Sequence, residues 1–401
     1  MNAVEQFIES NWANCIKYVP EDNDSLFGLP YPFTVPAVGH FNELYYWDTY
    51  FTNVGLLASG QSMQAKHNID DILCLIKRFG YMPNGSREGY LGRTQPPFSS
   101  VMVRDVYEFY GDKVWFLGAY ETLKTEYDFW MENRQLPIGL NTYGGILRGT
   151  PEQEAIWFGD RIGFAVDVPP EILGKHIVAS YESGWDISPR FGFELYNCAP
   201  VDLNSLLYLF EINMAYFSEE LQKGEEENWK NRAQKRKELM RKYLKNEEGL
   251  FLDYNIRTHE HSKIFSVASI YPMFAELVNE EEKTAICKNF PRLEYDFGVS
   301  TCEKNDAPGA YQWDYPNGWP CLQYIVMKAF LNYGMNADAR RIAQKYVTVV
   351  DRVFEQTGNL WEKYNVVEGN INVTNEYDMP PMMGWSAGIY LESKRILKEE
   401  L

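Results

Sequence analysis

Residues 201–246 read VDLNSLLYLFEINMAYFSEELQKGEEENWKNRAQKRKELMRKYLKN, and this stretch decides the fold class. The segments 201–222 and 225–246 form a helical hairpin. The second carries Lys230, Arg232, Lys235, Arg236, Lys237, Arg241 and Lys242 on a charge-dense face, which reads as a solvated outer surface. Working outward, the same unit recurs. Helical periodicity predicts helices over 2–16, 43–59, 60–79, 98–110 and 112–135, then pairs at 266–278 with 280–289 and 318–334 with 336–356, and a last helix over 383–398. Glycines and prolines at 83, 85, 89, 92, 96 and 97 exclude a helix between the third and fourth segments. Strand signals are few and short, as in the turn and strand at 247–254. No sequence repeat marks a regular solenoid. An all-α chain of about ten to twelve helices predicts a closed toroid of helical hairpins. Its long loops gather on one face and carry the function. No low-complexity linker interrupts 1–401, which reads as a single domain.

Composition narrows the function. With 45% hydrophobic residues the chain can bury a large core, which excludes global disorder. Thirty-eight Lys+Arg against 56 Asp+Glu leave a net charge of −18, which argues against duplex nucleic acid and anionic membranes as partners. No apolar run is long enough to span a bilayer. The N-terminus has early acids and no cationic region, and six scattered cysteines form no C-x-x-C pair. Together these predict a cytoplasmic setting and no thiolate metal site. Aromatic residues reach 15%, with 11 Trp. Core packing absorbs many of them. A sugar-binding cleft is a second outlet, because the C–H face of a pyranose packs on a ring while its hydroxyls bond to polar neighbours.

Five loops concentrate Trp, Asp, Glu, Arg and amides. They contain Phe41, Tyr46, Trp47 and Asp48; Asn84, Arg93 and Gln95; Gly184, Trp185, Asp186 and Arg190; Gln312, Trp313, Asp314 and Trp319; and Trp361, Glu362 and Lys363 followed by Glu376 and Trp385. Gly184 permits a tight bend that projects Trp185 and Asp186 together. Asp48 and Asp314 also read as caps or loop hydrogen-bond acceptors, and Asp202 and Asn204 as helix-start residues. Arginine and amide groups offer directed donors to hydroxyls. Two carboxylates across a sugar are what glycoside hydrolysis needs, one protonated and one ionised.

These clusters resemble the trehalases, family 37 of the glycoside hydrolases. Its first signature, P-G-G-R-F-x-E-x-Y-x-W-D-x-Y, is matched by Gly39, Phe41, Glu43, Tyr45, Trp47, Asp48 and Tyr50. Its second, Q-W-D-x-P-x-G-W-x-P, is matched by Gln312, Trp313, Asp314, Pro316, Gly318 and Trp319, with Cys321 at the last proline. The matches keep their order across about residues 30–390. The resemblance implies an (α/α)6 barrel, an inverting mechanism without metal or cofactor, Asp186 as general acid and Glu362 as general base. It implies sugar contacts from the loop residues above, from the signature position held by His40, from Arg148 and Glu152, and from Glu376 on a lid. Inversion predicts carboxyls about 6.5–9.5 Å apart.

The sequence departs from the family where His40 replaces the signature arginine, where Val38 replaces a glycine, and where 366–375 holds one glycine in place of a Gly-rich lid. Imidazole does not reproduce a guanidinium fork. Trehalose is the first candidate substrate. Hydrolysis of another α-glycoside such as glucosylglycerate or mannosylglycerate is the alternative, with Arg190 or Lys363 serving an aglycone carboxylate. A non-catalytic sugar binder is the reading from a different class. A sugar epimerase would want paired histidines, and only His259 and His261 lie close in sequence.

Overall fold

The computed structural model describes residues 1–398. Among these, fourteen α-helices carry the fold. They are α1 (Ala3–Asn11), α2 (Tyr46–Ala58), α3 (Ser62–Phe79), α4 (Ser99–Tyr110), α5 (Lys113–Asn133), α6 (Pro151–Ile162), α7 (Pro170–Ser183), α8 (Val201–Glu220), α9 (Glu226–Tyr243), α10 (Tyr271–Phe274), α11 (Glu280–Asn289), α12 (Pro320–Asn332), α13 (Asn336–Thr357) and α14 (Gly384–Lys398).

Helices α2, α4, α8, α10, α12 and α14 each touch the next, and α14 returns to α2, so they form a closed inner ring. Outer helices pack behind them, α3 on α2 and α4, α5 on α4 and α8, α9 on α8, and α13 on α12 and α14. The expected (α/α)6 architecture is what the chain adopts. Amphipathicity decides which helix lies where. Helix α8 is buried along nearly its whole length, whereas α9 buries only Trp229, Ala233, Arg236 and Met240, one stripe at helical spacing. Arg236 therefore leaves the solvated face assigned to it. It turns inward, where its Nε donates to Glu211 at 2.9 Å and its Nη1 to Asn141 at 2.9 Å.

Other boundaries differ for local reasons. The predicted helix 2–16 ends at Asn11 and continues as a 3₁₀ turn, Trp12–Cys15. The segment 266–278 is a 3₁₀ turn followed by the four-residue α10, with Pro272 in its first turn. Helices α6 and α7 were not expected. They form an extra pair between α5 and α8, outside both rings, with a small apolar core of their own around Phe158, Ile162, Leu173 and Ile177. Thr150 and Gln153 make a capping box with Pro151 at the first helical position, which is the signal that marks α6.

The ring closes on two glycines. A Cβ added at Gly55 would sit 2.2 Å from the Gly388 Cα, and one at Gly388 would sit 2.3 Å from the Phe51 carbonyl oxygen. Helices α2 and α14 thus meet backbone to backbone, and no side chain fits between them. Gly388→Val is expected to exceed the usual overpacking cost of about 1–3 kcal/mol. It should lower the thermal midpoint and the amide-exchange protection of α14. Wild-type values for both would contradict this account of closure.

Candidate active site

The loops that enter α2, α4, α8, α12 and α14 converge at one end of the ring around a cavity of about 210 Å³. Short backbone pairings lock them together. Tyr45 bridges Gly85, Asn317-Gly318 pairs antiparallel with Tyr364-Asn365, and Trp361 bridges Pro381. The amide of Trp313 donates to the Ile187 carbonyl at 3.3 Å, tying the second signature to the Asp186 segment. Gly184 ends α7 in the left-handed region (φ +71), and its missing Cβ admits the Trp47 indole, 2.7 Å from where that atom would lie. Ile187 is β-branched and buried at φ +56, a strained conformation worth about 1–3 kcal/mol that the packing around it enforces beside Asp186.

Asp186 and Glu362, predicted from opposite halves of the sequence, line this one cavity, together with Phe41, Trp47, Asp48, Asn84, Arg93, Gln95, Gly184, Gln312, Trp313, Trp319 and Glu376. Asp48 and Glu376 each interact electrostatically with both Asp186 and Glu362. Burial, and then the Glu376 charge, hold the Asp186 carboxyl well above the usual carboxylate range, with Arg93 opposing. Burial pushes Asp48 up to about 7, and the Glu362 charge adds to that. Glu362 accepts from Lys363 Nζ at 2.6 Å on one oxygen and from the Tyr377 hydroxyl on the other. Glu376 accepts from Gln312 Nε2 at 2.6 Å and pairs with Arg161 of α6, which itself stacks on Trp157.

The walls are aromatic. Trp313 and Trp319 stack face to face at 3.7 Å, and Trp47, Trp185 and Trp385 pack around them at 5.6–6.1 Å. Arg93 is held between the rings of Tyr90 and Tyr181, and among the described residues neither its buried Nε nor the buried Gln312 Oε1 has a hydrogen-bond partner. Both side chains line the cavity. Gln95 is turned to its backbone task, accepting from the Trp47 amide at 3.1 Å.

Several expected contact residues lie elsewhere. His40, Arg148 and Glu152 are exposed and outside the cavity lining. His40 packs against Phe41 at the rim, and Arg148 bonds to the Glu88 carbonyl. Tyr46 is buried and donates to Glu126. Trp185 lies under the lining, and Asp314 accepts from Asn305 at 2.8 Å away from it. Arg190 is fully buried beneath Trp185, with its donors committed to Asp202 and Asp253 at 2.6–3.2 Å. An aglycone carboxylate therefore finds neither Arg190 nor Lys363 free. The lining also takes Pro36, Tyr45, Tyr90, Tyr377, Met382 and Trp385. Tyr45 sits inside the first signature and Tyr377 follows Glu376 directly in the sequence, so position alone could have selected them. Arg161 had no such signal. Among the described residues no cluster of three His, Cys, Asp or Glu is arranged to hold a metal ion.

A closed double ring of helices with buried acids and tryptophans at one end defines a glycoside hydrolase of the (α/α)6 class. Comparison then narrows the class. The family model for trehalase matches residues 3–397, and the chain belongs to that family. It is 33% identical to a periplasmic trehalase of Pseudomonas aeruginosa over 404 residues, 93% of this chain and 72% of that one. A neutral trehalase from Saccharomyces cerevisiae superposes with a TM-score of 0.81 at 26% identity, over 92% of this chain and 74% of that one. A family 63 mannosylglycerate hydrolase from Thermus thermophilus shares the fold, with a TM-score of 0.64 at 17% identity over 90% and 95% of the two chains. The expected cytoplasmic setting is overturned by the curated relatives, which are named periplasmic trehalases. Among the described residues no helix is long and apolar enough to cross a membrane.

Arg190 tests the division between site and scaffold. Arg190→Met strands two buried carboxylates and is expected to cost about 3–5 kcal/mol in urea denaturation, while KM of the surviving folded enzyme stays near wild type. A raised KM at unchanged stability would return Arg190 to the site.

Proposed function

We propose that residues 1–401 form one catalytic domain that hydrolyses trehalose with inversion. The observation that carries this reading is the shared cavity of Asp186 and Glu362, walled by tryptophans and below the about 300–1,000 Å³ of ordinary ligand pockets. A small substrate fits it. Asp186, kept protonated by its surroundings, gives its proton to the glycosidic oxygen. Glu362 takes a proton from water, whose oxygen attacks the anomeric carbon from the other face. Arg93, Asn84 and Gln312 bond sugar hydroxyls, and Trp47, Trp313 and Trp319 pack on its apolar face. The largest apolar core, running from Val4 to Ile396 with two smaller clusters beside it, supports the one-domain reading. The glycerate alternative loses the two cations named for its aglycone carboxylate, because Arg190 and Lys363 are engaged within the protein.

Asp186→Asn and Glu362→Gln should each lower kcat by about 10²–10⁴-fold with the thermal midpoint unchanged. Proton NMR of wild-type turnover should show α- and β-glucose in equal amounts at early times. A single anomer at the outset, or wild-type rates in either variant, would reject the mechanism.

The pH profile has a defined sign. A general acid works while protonated, so activity falls as pH rises through the Asp186 pKa. Glu376→Gln removes a negative charge that favours the protonated form. The basic limb of kcat/KM should move to lower pH, with burial still holding it above an exposed aspartate. An unmoved limb would separate Glu376 from Asp186.

A further inference from the structure

Four carboxylates, Asp48, Asp186, Glu362 and Glu376, line one small cavity. The proposed chemistry needs Asp186 protonated and Glu362 ionised at the same pH, so the surroundings must decide which group carries the charge. Glu376 has its own guanidinium, Arg161. Glu362 has Lys363, the next residue in the chain. The Lys363 side chain is fully buried, with Nζ 2.6 Å from Glu362 Oε2 and 4.5 Å from the centre of the Trp319 ring. Among the described residues Lys363 forms no other ion pair. Trp319 is fixed in turn by its stack on Trp313 and by its Nε1, which donates to the Gln312 carbonyl at 3.2 Å.

Burying an ammonium is costly, and a well-packed apolar residue serves a fold as well or better. A lysine in an indole cradle, aimed at one carboxylate oxygen, is therefore better explained by what it does to that carboxylate. The Tyr377 hydroxyl donates to the other oxygen. Each oxygen thus gives up one acceptor position and keeps another for water. The other titratable groups facing Glu362 are Asp48 from α2, Cys321 from the start of α12, and Glu376 from the loop before α14. Each is neutral or negative, so Lys363 is the cation in direct contact.

We infer that Lys363 is a positioning residue for this reaction: its ammonium keeps negative charge on Glu362 rather than on Asp48 or Asp186, and it fixes the orientation from which that carboxylate deprotonates water. The inference rests on the assignment of Glu362 as the base.

The test compares trehalose turnover across pH for wild type, Lys363→Met, Lys363→Gln and Lys363→Arg. Lys363→Met should lower kcat at neutral pH by about 10²-fold, change KM by less than about threefold, and move the acid limb of kcat/KM up by about one pH unit. Lys363→Arg restores a cation that stacks on an indole, and it should recover most of kcat and return the limb toward wild type. An acid limb in Lys363→Met at its wild-type position, or a loss confined to KM or to the thermal midpoint, overturns the inference. If circular dichroism shows Lys363→Met unfolded, Lys363→Gln against Lys363→Arg decides, and coincident acid limbs overturn it. Glu362→Gln separates the two levels. Turnover surviving in that variant removes the base assignment itself, whereas an inactive Glu362→Gln beside an unmoved Lys363→Met limb removes only the role of Lys363.

Discussion

Two indoles in parallel contact hold this site together. Trp313 and Trp319 come from one signature, but the rings around them come from three other segments, Trp47 from the start of α2, Trp185 from the turn after α7 and Trp385 from the start of α14. Burial of so much aromatic surface adds to the short backbone pairings that already join these loops. The same packing excludes water. Desolvation is accordingly the largest influence on both Asp186 and Asp48, and the same apolar packing that forms the wall favours the protonated form of a nearby aspartate.

That environment creates a conflict, because low polarity penalises every charge placed in it. The chain resolves it by giving partners to some acids and withholding them from others. Glu376 meets Arg161 and Gln312, and Glu362 meets Lys363 and Tyr377. Asp186 is left to take up a proton. Beneath the lining, Glu182 is tied to Arg134 and to two backbone amides, and Arg190 to Asp202 and Asp253. These deeper pairs are scaffold. They explain why an arginine four residues from Asp186 stays out of the cavity.

The helices were legible wherever an apolar stripe ran beside a charged one, as in α9 and α13. The motif residues that line the cavity were legible because their spacing is fixed by backbone turns, with Gly184 the clearest case. What stayed hidden had no local signature. Whether Arg190 meets a sugar or a buried aspartate depends on Asp253, sixty-three residues away. Arg148 lies just before, and Glu152 within, the helix start spelled by Thr150, Pro151 and Gln153, which places both at the surface rather than in the cavity. Arg161 contributes through a helix pair absent from the expected ring, and its partner lies 215 positions further on.

The glycine contact between α2 and α14 carries a consequence for biogenesis. The first inner helix has its neighbour on one side only after Gly384–Lys398 exists, so a nascent chain carries an unfinished seam across more than three hundred residues of synthesis. Pairing residues more than three hundred positions apart is a slow, non-local event. Until it happens, the apolar flank of α2 has only water or a chaperone to lie against.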